Sequence, residues 1–486
     1  MMKILLISTN REMLPMPVMP IGVAYLAGVL RDNGYEVAIL DLCFEKAVDN
    51  SICAKIKSFN PEIIGLSLRN LDNSTAFGNR SCLDELKQLV ETIKDITAAT
   101  IIIGGSGFSS SPKPLLQYLN LEYGIVGEGE YSLLDFVRFF ADKDKLRTIP
   151  GLVYRLADKI ELNSGTEYLK LDELPQPAWD LIDCKRYMRH GGYGAIQTKR
   201  GCAFNCIYCS YPVIEGKRYR LRSPELVVDE IEQLHRQYGI NYFFFVDSVF
   251  SFPYAHAKAI CRELIKRKLK VAWEAMTNPR GIDETLVKLM KQSGCIGVEV
   301  GIDSASATML EHLGKSFTQE DIRHSAQLYH KYDIPFSLYL LIGGTHETEQ
   351  TIADSISLLD TIKQPNQLLM NFGIRIYAGT PLAEQAKLAG LIADEAELLY
   401  PKVYISDELP NDMFPILDEY CRHRLHWSNA TDWNSPISGM MMRLAQLLQL
   451  RPFWKRSKLL GWARKLKITS TASKLYKQGQ QKPTND

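Results

Sequence analysis

Short, continuous apolar runs alternate with amphipathic helical stretches twice along this chain, and that alternation constrains the fold more than any other feature. Over residues 1–145, strands are predicted at Lys3–Ser8, Glu36–Leu42 (ending at Asp41), Ile63–Leu68, Thr100–Ile103 and Tyr123–Val126, with helices at Ile21–Asn33 and Asp84–Ile96. Apolar strands separated by helices are buried on both faces, as in a parallel, doubly wound α/β sheet. The pattern resumes at Ala195–Thr198, Tyr242–Asp247, Ala272–Ala275, Gly297–Ile302, Phe336–Ile342 and Asn371–Ile376. Six such units suit a partial (β/α)6 barrel better than a second Rossmann-like sheet. The expected division is a Rossmann-like domain over 1–145, a connector over 146–190, a partial barrel over 191–395 and a helical C-terminal region over 396–486. The connector holds a small hairpin at Leu152–Leu162 and an extended linker at Leu174–Trp179.

Composition narrows the class. The chain has 486 residues, 46% hydrophobic and 23% charged, which excludes a disordered chain, a collagen and a coiled coil. No apolar run reaches the roughly 18 residues of a spanning helix. The opening MMKILLIS reads as a buried strand, so a reducing, cytoplasmic compartment is expected. There, clustered cysteines bind metal more often than they form disulfides. The formal net charge of +1 hides an asymmetry: Met440–Asp486 carries eleven Lys/Arg and one acid, so this tail is +10 and the remainder −9. Met440, Leu444, Leu447 and Leu448 form a helical stripe, and Phe453–Trp462 interleaves aromatic and basic residues. Peripheral contact with an anionic membrane and packing on the acidic body are both open readings. Nucleic acid, the other polyanion, is not expected. The last dozen residues read as disordered.

Cys202, Cys206 and Cys209 form a CxxxCxxC motif directly after a predicted strand and Arg200-Gly201. Three thiolates on one short loop can hold three irons of a [4Fe–4S] cube and leave the fourth open. Zinc would need a fourth close ligand, and the nearest histidine is His190. The other seven cysteines are scattered and read as buried small hydrophobes. In open α/β sheets, ligands bind beyond the strands' carboxyl ends. Those ends read Ser67-Leu68-Arg69-Asn70, Gly104-Gly105-Ser106-Gly107 and Gly127-Glu128-Gly129-Glu130. These are either ligand-facing turns or simply tight βα connections.

The segment from Gln197 to Cys209 resembles the start of a radical SAM barrel. In that family the open iron binds S-adenosylmethionine, and the aromatic residue before the last cysteine, here Tyr208, lies near the adenine. Val298–Ser304 resembles the family's VExGIES-like strand, which implies S-adenosylmethionine contacts for Glu299 and Ser304. Gly343-Gly344 resembles the late-barrel glycine turn, and Tyr377–Leu382 the PGTPL segment, with Ala378 for its first proline. The N-terminal half resembles the cobalamin-binding domain fused to many such enzymes. That implies corrinoid contacts from Ser67, Leu68, Arg69, Asn70, Gly104, Gly105, Gly127, Glu128, Gly129 and Glu130. The DxHxxG signature is absent: Cys43 stands where its histidine would be, and residues 1–189 contain no histidine. Cobalamin would therefore be base-off, held by backbone amides and packing. The SLRNLDN stretch resembles the tryptophan-methylating branch, in which an Arg like Arg69 lies beneath cobalt; a turn residue or a contact to the corrinoid tail is the other reading.

The resemblance implies a methyltransferase that moves a methyl group from S-adenosylmethionine via methylcobalamin to an unactivated carbon of a small-molecule or lipid-like substrate. An external flavodoxin- or ferredoxin-type donor supplies electrons. Glu274 and Asp247, at barrel strand ends, are the candidate catalytic carboxylates; Tyr339 and Arg375 are weaker candidates. The competing readings are a cyclase or rearrangement enzyme of the same architecture and a non-catalytic Fe–S or corrinoid sensor. A methylthiotransferase would need three N-terminal cluster cysteines and a C-terminal β-domain, and it ranks low.

Overall fold

The computed structural model describes residues 1–465 except 75, 77–79, 166–167, 363–364 and 431–435. The end of the basic tail, including the last dozen residues, lies outside the described residues. The first sheet comprises β1 (Lys3–Ser8), β2 (Glu36–Asp41), β3 (Ile63–Ser67), β4 (Thr100–Gly104), β5 (Tyr123–Ile125), β6 (Leu152–Leu156) and β7 (Lys159–Leu162). Their order is β2-β1-β3-β4-β5-β6-β7, with β1 to β5 parallel and the last two antiparallel. The hairpin expected in the connector thus extends this sheet, because it covers the otherwise open edge of β5. Ser8 pairs with Asp41 and with Ser67, and Ser67 with Gly104, so four strands end at one level. Helices Ile21–Asp32 and Glu130–Arg138 pack on one face, and Val48–Phe59, Leu83–Ile96 and Pro112–Tyr118 on the other.

The barrel follows. Its strands are β8 (Gly194–Ile196), the short pair β9 (Lys199–Arg200) and β10 (Arg220–Leu221), β11 (Tyr242–Phe245), β12 (Ala272–Thr277), β13 (Cys295–Asp303), β14 (Phe336–Ile342), β15 (Gln367–Phe372), the short pair β16 (Ile374–Arg375) and β17 (Val403–Tyr404), and β18 (Trp427–Asn429). The main sheet is entirely parallel in the order β18-β15-β14-β13-β12-β11-β8. Two expectations change. The last barrel strand starts at Gln367, not Asn371, and breaks at Gly373, whose φ is +79°. Buried Gln367 bonds Ser337 (3.4 Å) and Ser428 (3.5 Å), so a polar residue hid the strand's start. The C-terminal region is not only helical: β18 extends the barrel sheet by pairing with β15.

The two sheets are tied together by buried polar contacts. Val18 bridges to Tyr193, and the Tyr187 hydroxyl donates to Asp41 at 2.6 Å. Arg375 pairs with Asp72 at 3.0 Å, both side chains nearly fully buried. Arg375 is therefore an interdomain tie rather than a group free for chemistry. Their carboxyl ends consequently face the same space.

Candidate active site

The cysteine loop is locked from both flanks. Asp247 accepts from Thr198 N (2.7 Å) and Oγ1 (2.5 Å), and its carboxylate lies 3.3 Å from the Lys199 ammonium; both side chains are completely buried. Asp247, a catalytic candidate by sequence, has its oxygens committed to Thr198 and Lys199 and also lies in the wall of the smaller cavity. Gly201 has φ +87°, and a Cβ there would lie 2.1 Å from Arg218 O, so only glycine fits. Beyond it, Cys202 N donates to Gly216 O, Ile207 N to Leu313 O and Leu382 N to Ile207 O.

Burial pushes the Cys209 thiol up to about 12 and Cys206 in the same direction, and the neighbouring cysteines add to both shifts. The three sulfurs therefore sense one another in a dry site. Among the described residues no three His, Cys, Asp or Glu converge on a single ion. A cube asks for something else, one iron per thiolate, and an iron–sulfur core supplies the positive charge that buried thiolates lack. The donor set fits a [4Fe–4S] cluster.

Lys315 and Asp303 stand beside this loop. Lys315 forms an ion pair with Asp303, its Nζ donates to the Tyr208 hydroxyl at 2.9 Å, and Tyr208 also bonds Asp303. Lys315 lowers the pKa of Cys206 and Cys209 against the burial effect. Asp303 sits at a register shift ending β13, with φ +60°. Sequence reading placed Tyr208 here but missed both partners. An acid closing the VExGIES-like strand and a lysine just after Gly314 were the available signals.

The other barrel candidates divide. Glu299 accepts from the Tyr339 hydroxyl at 2.9 Å, and both line a large cavity. Glu274 lies behind it, fully buried, accepting from Tyr242 and from Trp454 Nε1 (3.2 Å). Burial and, next, the Glu299 charge raise the Glu274 carboxyl to about 8. Glu274 follows a register shift in β12 and is not among the cavity-lining groups; its carboxylate is taken by Tyr242 and Trp454. Ser304 is turned to Ser355 Oγ (3.1 Å) and Ser306 N (3.2 Å). The amides of Gly343 and Gly344 donate to Glu347 at 2.5 and 2.9 Å, and burial raises that carboxyl to about 7. The glycine turn is thus closed by the chain's own anion, and its amides are taken.

The N-terminal turns are likewise more committed than expected. Leu68 N bonds Gly104 O, Gly107 N bonds Leu68 O, and Ser106 Oγ bonds Arg69 O. Gly105, with φ +98°, is required by the chain itself: a Cβ would meet Leu68 O at 2.4 Å. The Gly127 amide is held by Ser109 Oγ at 2.9 Å. Glu128 takes Arg220 at 2.8 Å and Glu130 takes Arg200 at 2.5 Å, all at nearly buried positions. These two acids therefore clamp β9 and β10, and with them the cysteine loop, while also standing in the wall of the smaller cavity. Gly129 lies between them, 3.3 Å from Leu26 were it given a Cβ.

What remains is a cavity of about 420 Å³ bounded by Ser67, Gly104, Gly105, Gly127 and Gly22 from the N-terminal domain and by Gln197 and Met276 from the barrel. Nothing lies within 4 Å of a Cβ at Gly22, so that wall is open to a ligand. A second cavity of about 1140 Å³ adjoins it, with Asn70, Glu299 and Tyr339 in its wall. Drug-sized ligands occupy roughly 300–1,000 Å³, so the pair has room for a macrocycle and a substrate. Arg69 lines both cavities, and among the described residues no hydrogen bond or ion pair engages its guanidinium. The space and the bare wall fit a corrinoid, with no histidine in residues 1–189 to bind cobalt from below.

Residues 196–359 match the radical SAM superfamily, and residues 10–137 match the B12 binding domain. The chain is a radical SAM enzyme with a B12-binding domain. It is 28% identical to an uncharacterised methyltransferase of Pyrococcus horikoshii, over 80% of this chain and 87% of that one. It is 27% identical to a tryptophan 2-C-methyltransferase of Streptomyces laurentii, over 71% of this chain and 68% of the relative. Its fold matches the radical S-adenosylmethionine methyltransferase TsrM of Kitasatospora setae, solved with cobalamin and a [4Fe–4S] cluster, at TM-score 0.81 and 24% identity over 99% of both chains. More particularly, then, it is a cobalamin-dependent radical SAM methyltransferase, with a [4Fe–4S] cluster, S-adenosylmethionine and cobalamin as cofactors.

Proposed function

We propose that this enzyme methylates a carbon of a small-molecule or lipid-like substrate held in the larger cavity, with Arg69 against the lower face of base-off cobalamin. The observation that carries the reading is the unpaired Arg69 guanidinium between two cavities, in a domain without histidine. With cobalamin bound, Arg69 would present its positive charge to the corrinoid, and the cofactors would supply the methyl-transfer chemistry itself. The chain's part is positional. Cys202, Cys206 and Cys209 hold the cluster; Lys315, Asp303 and Tyr208 order its flank; the Glu299–Tyr339 pair faces the substrate space. The setting is a cytoplasmic one, with a flavodoxin- or ferredoxin-type electron donor and no role for nucleic acid.

The test is anaerobic reconstitution with iron, sulfide, cobalamin and S-adenosylmethionine, followed by assay against candidate substrates. S-adenosylhomocysteine formed together with methylated product supports the reading; 5′-deoxyadenosine without methylated product sinks it. Equal deoxyadenosine and S-adenosylhomocysteine mark radical transfer, and absence of deoxyadenosine marks polar transfer.

A further inference from the structure

The helix Pro436–Leu447 sits at the mouth of the larger cavity, where Met440 and Arg443 form part of the wall. It is pinned on its inner side. Met442 is buried, and Gln446 Nε2 donates to Met13 O (3.1 Å) and Pro15 O (2.9 Å). A Cβ on Gly191 would lie 2.7 Å from Gln446, so the helix rests directly on the connector. Its outer side is apolar and uncovered: Met440 is 65% exposed, Leu444 56%, Leu447 75% and Leu448 60%. These positions follow the i, i+4, i+7, i+8 spacing of one helical face. Such a stripe ordinarily turns inward, and here the packed side is a different one.

The surroundings identify what covers it. Arg443 lies beside the stripe, and Lys455, Arg456 and Lys458 follow, all exposed. Leu459 is 54% exposed and Trp462 51%. The sequence from Met440 onward carries +10. An apolar edge among cations, without acids of its own, complements a surface that is oily within and anionic at its face. A second copy of the chain would bring the same cations against each other.

We propose that the Met440–Leu448 face docks on an anionic phospholipid bilayer, setting the mouth of the 1140 Å³ cavity against the lipid. This rests on the methyltransferase reading only for its consequence: the substrate is an amphiphile that passes from the membrane into the cavity. Docking itself is independent of catalysis and is measured without it.

The experiment is flotation of the full-length chain with vesicles of phosphatidylcholine alone and with phosphatidylglycerol added. The comparison protein is the triple variant Leu444→Ser, Leu447→Ser, Leu448→Ser, whose positions are exposed, so an unchanged circular-dichroism spectrum is expected. Wild type is expected to float with the anionic vesicles and to stay behind with neutral ones. The triple variant is expected to bind about tenfold more weakly or worse. No flotation of wild type overturns the proposal, and so does equal flotation of the variant, which would assign binding to charge alone. A wild-type dimer that the variant breaks, without flotation, makes the face a subunit interface and also overturns it. Flotation with methyl transfer to a water-soluble substrate and to no amphiphile would leave docking standing and overturn the amphiphile as substrate.

Discussion

Both sheets offer their carboxyl ends to the same cavities, yet they are finished in opposite ways. On the barrel side, four ion pairs hold the flanks of the cysteine loop: Asp247 with Lys199, Arg200 with Glu130, Arg220 with Glu128, Lys315 with Asp303. On the N-terminal side, the backbone of the Ser67–Asn70 turn is bonded, but its one cation, Arg69, is left unpaired in open space. The difference follows what each side must do. A cluster needs thiolates at fixed positions, so its support is over-determined. A large, exchangeable ligand needs bare walls and one directed charge, so its site keeps both.

Breaking the barrel side has the largest effect. Cys206→Ala removes one of three thiolates, and bound iron after reconstitution is expected to fall from about four per chain to a small fraction, with methyl transfer lost. Iron analysis and the cluster's visible absorption check this. Arg200→Ala comes next, because it strands Glu130 and weakens the hold on Glu128 where both are almost fully buried. Removing one member of a buried pair costs about 3–5 kcal/mol. Denaturant titration should show that loss, and a change below about 1 kcal/mol would mean that the clamp is unimportant.

Glu274 gives a pH test of the same rigidity. Its folded-state carboxyl is raised to about 8 by burial and by Glu299, against an ordinary value of 4.5. The native state therefore holds a proton that the unfolded chain releases between those values. The stability this contributes is full below about 4.5 and is lost as pH rises toward 8, with a slope of at most about 1.4 kcal/mol per pH unit. Glu274→Gln should flatten that slope in unfolding curves measured across the window. A slope unchanged by the substitution would assign it to another group.

How much of this was legible depended on distance along the chain. The cysteine loop, Tyr208 and the strand ends were readable because their signals are local: a spacing, a glycine turn, an apolar run. Glu274 was readable as a barrel carboxylate, but its partner Trp454 lies 180 residues away, and β18 is a three-residue strand in a helical region. The ion pairs of Glu128 and Glu130 were hidden for the same reason. Their arginines arrive from another domain, and nothing near Gly127–Glu130 announces them. Glu347 hid differently, four residues from Gly343, because a glycine turn looks the same whether its amides face a cofactor or a carboxylate of the same chain.

The N-terminal side should respond through the ligand rather than through the fold. Arg69→Ala removes an exposed, unpaired side chain, so its stability effect should stay within about 0.5 kcal/mol. The spectrum of bound cob(II)alamin should nevertheless shift toward a form with an added lower ligand, and methyl transfer should fall. An identical spectrum and rate would remove Arg69 from the site.

The finest distinction is between two glycines of this same domain. Gly105 has φ +98° and the Leu68 carbonyl 2.4 Å from a would-be Cβ, so alanine there strains the backbone and must push the turn aside. Gly22 has nothing within 4 Å and lies in the first turn of the helix Ile21–Asp32. Alanine at Gly22 should leave the apo-protein as stable or raise it by about 0.5–1 kcal/mol, since glycine is the costlier residue in a helix. Its methyl group, however, points into the wall of the 420 Å³ cavity. Cobalamin affinity, read by absorbance titration, should therefore drop while thermal stability without cobalamin does not. Unchanged affinity would show that the bare wall at Gly22 is not where the corrinoid rests, and would shift the site toward the larger cavity around Arg69.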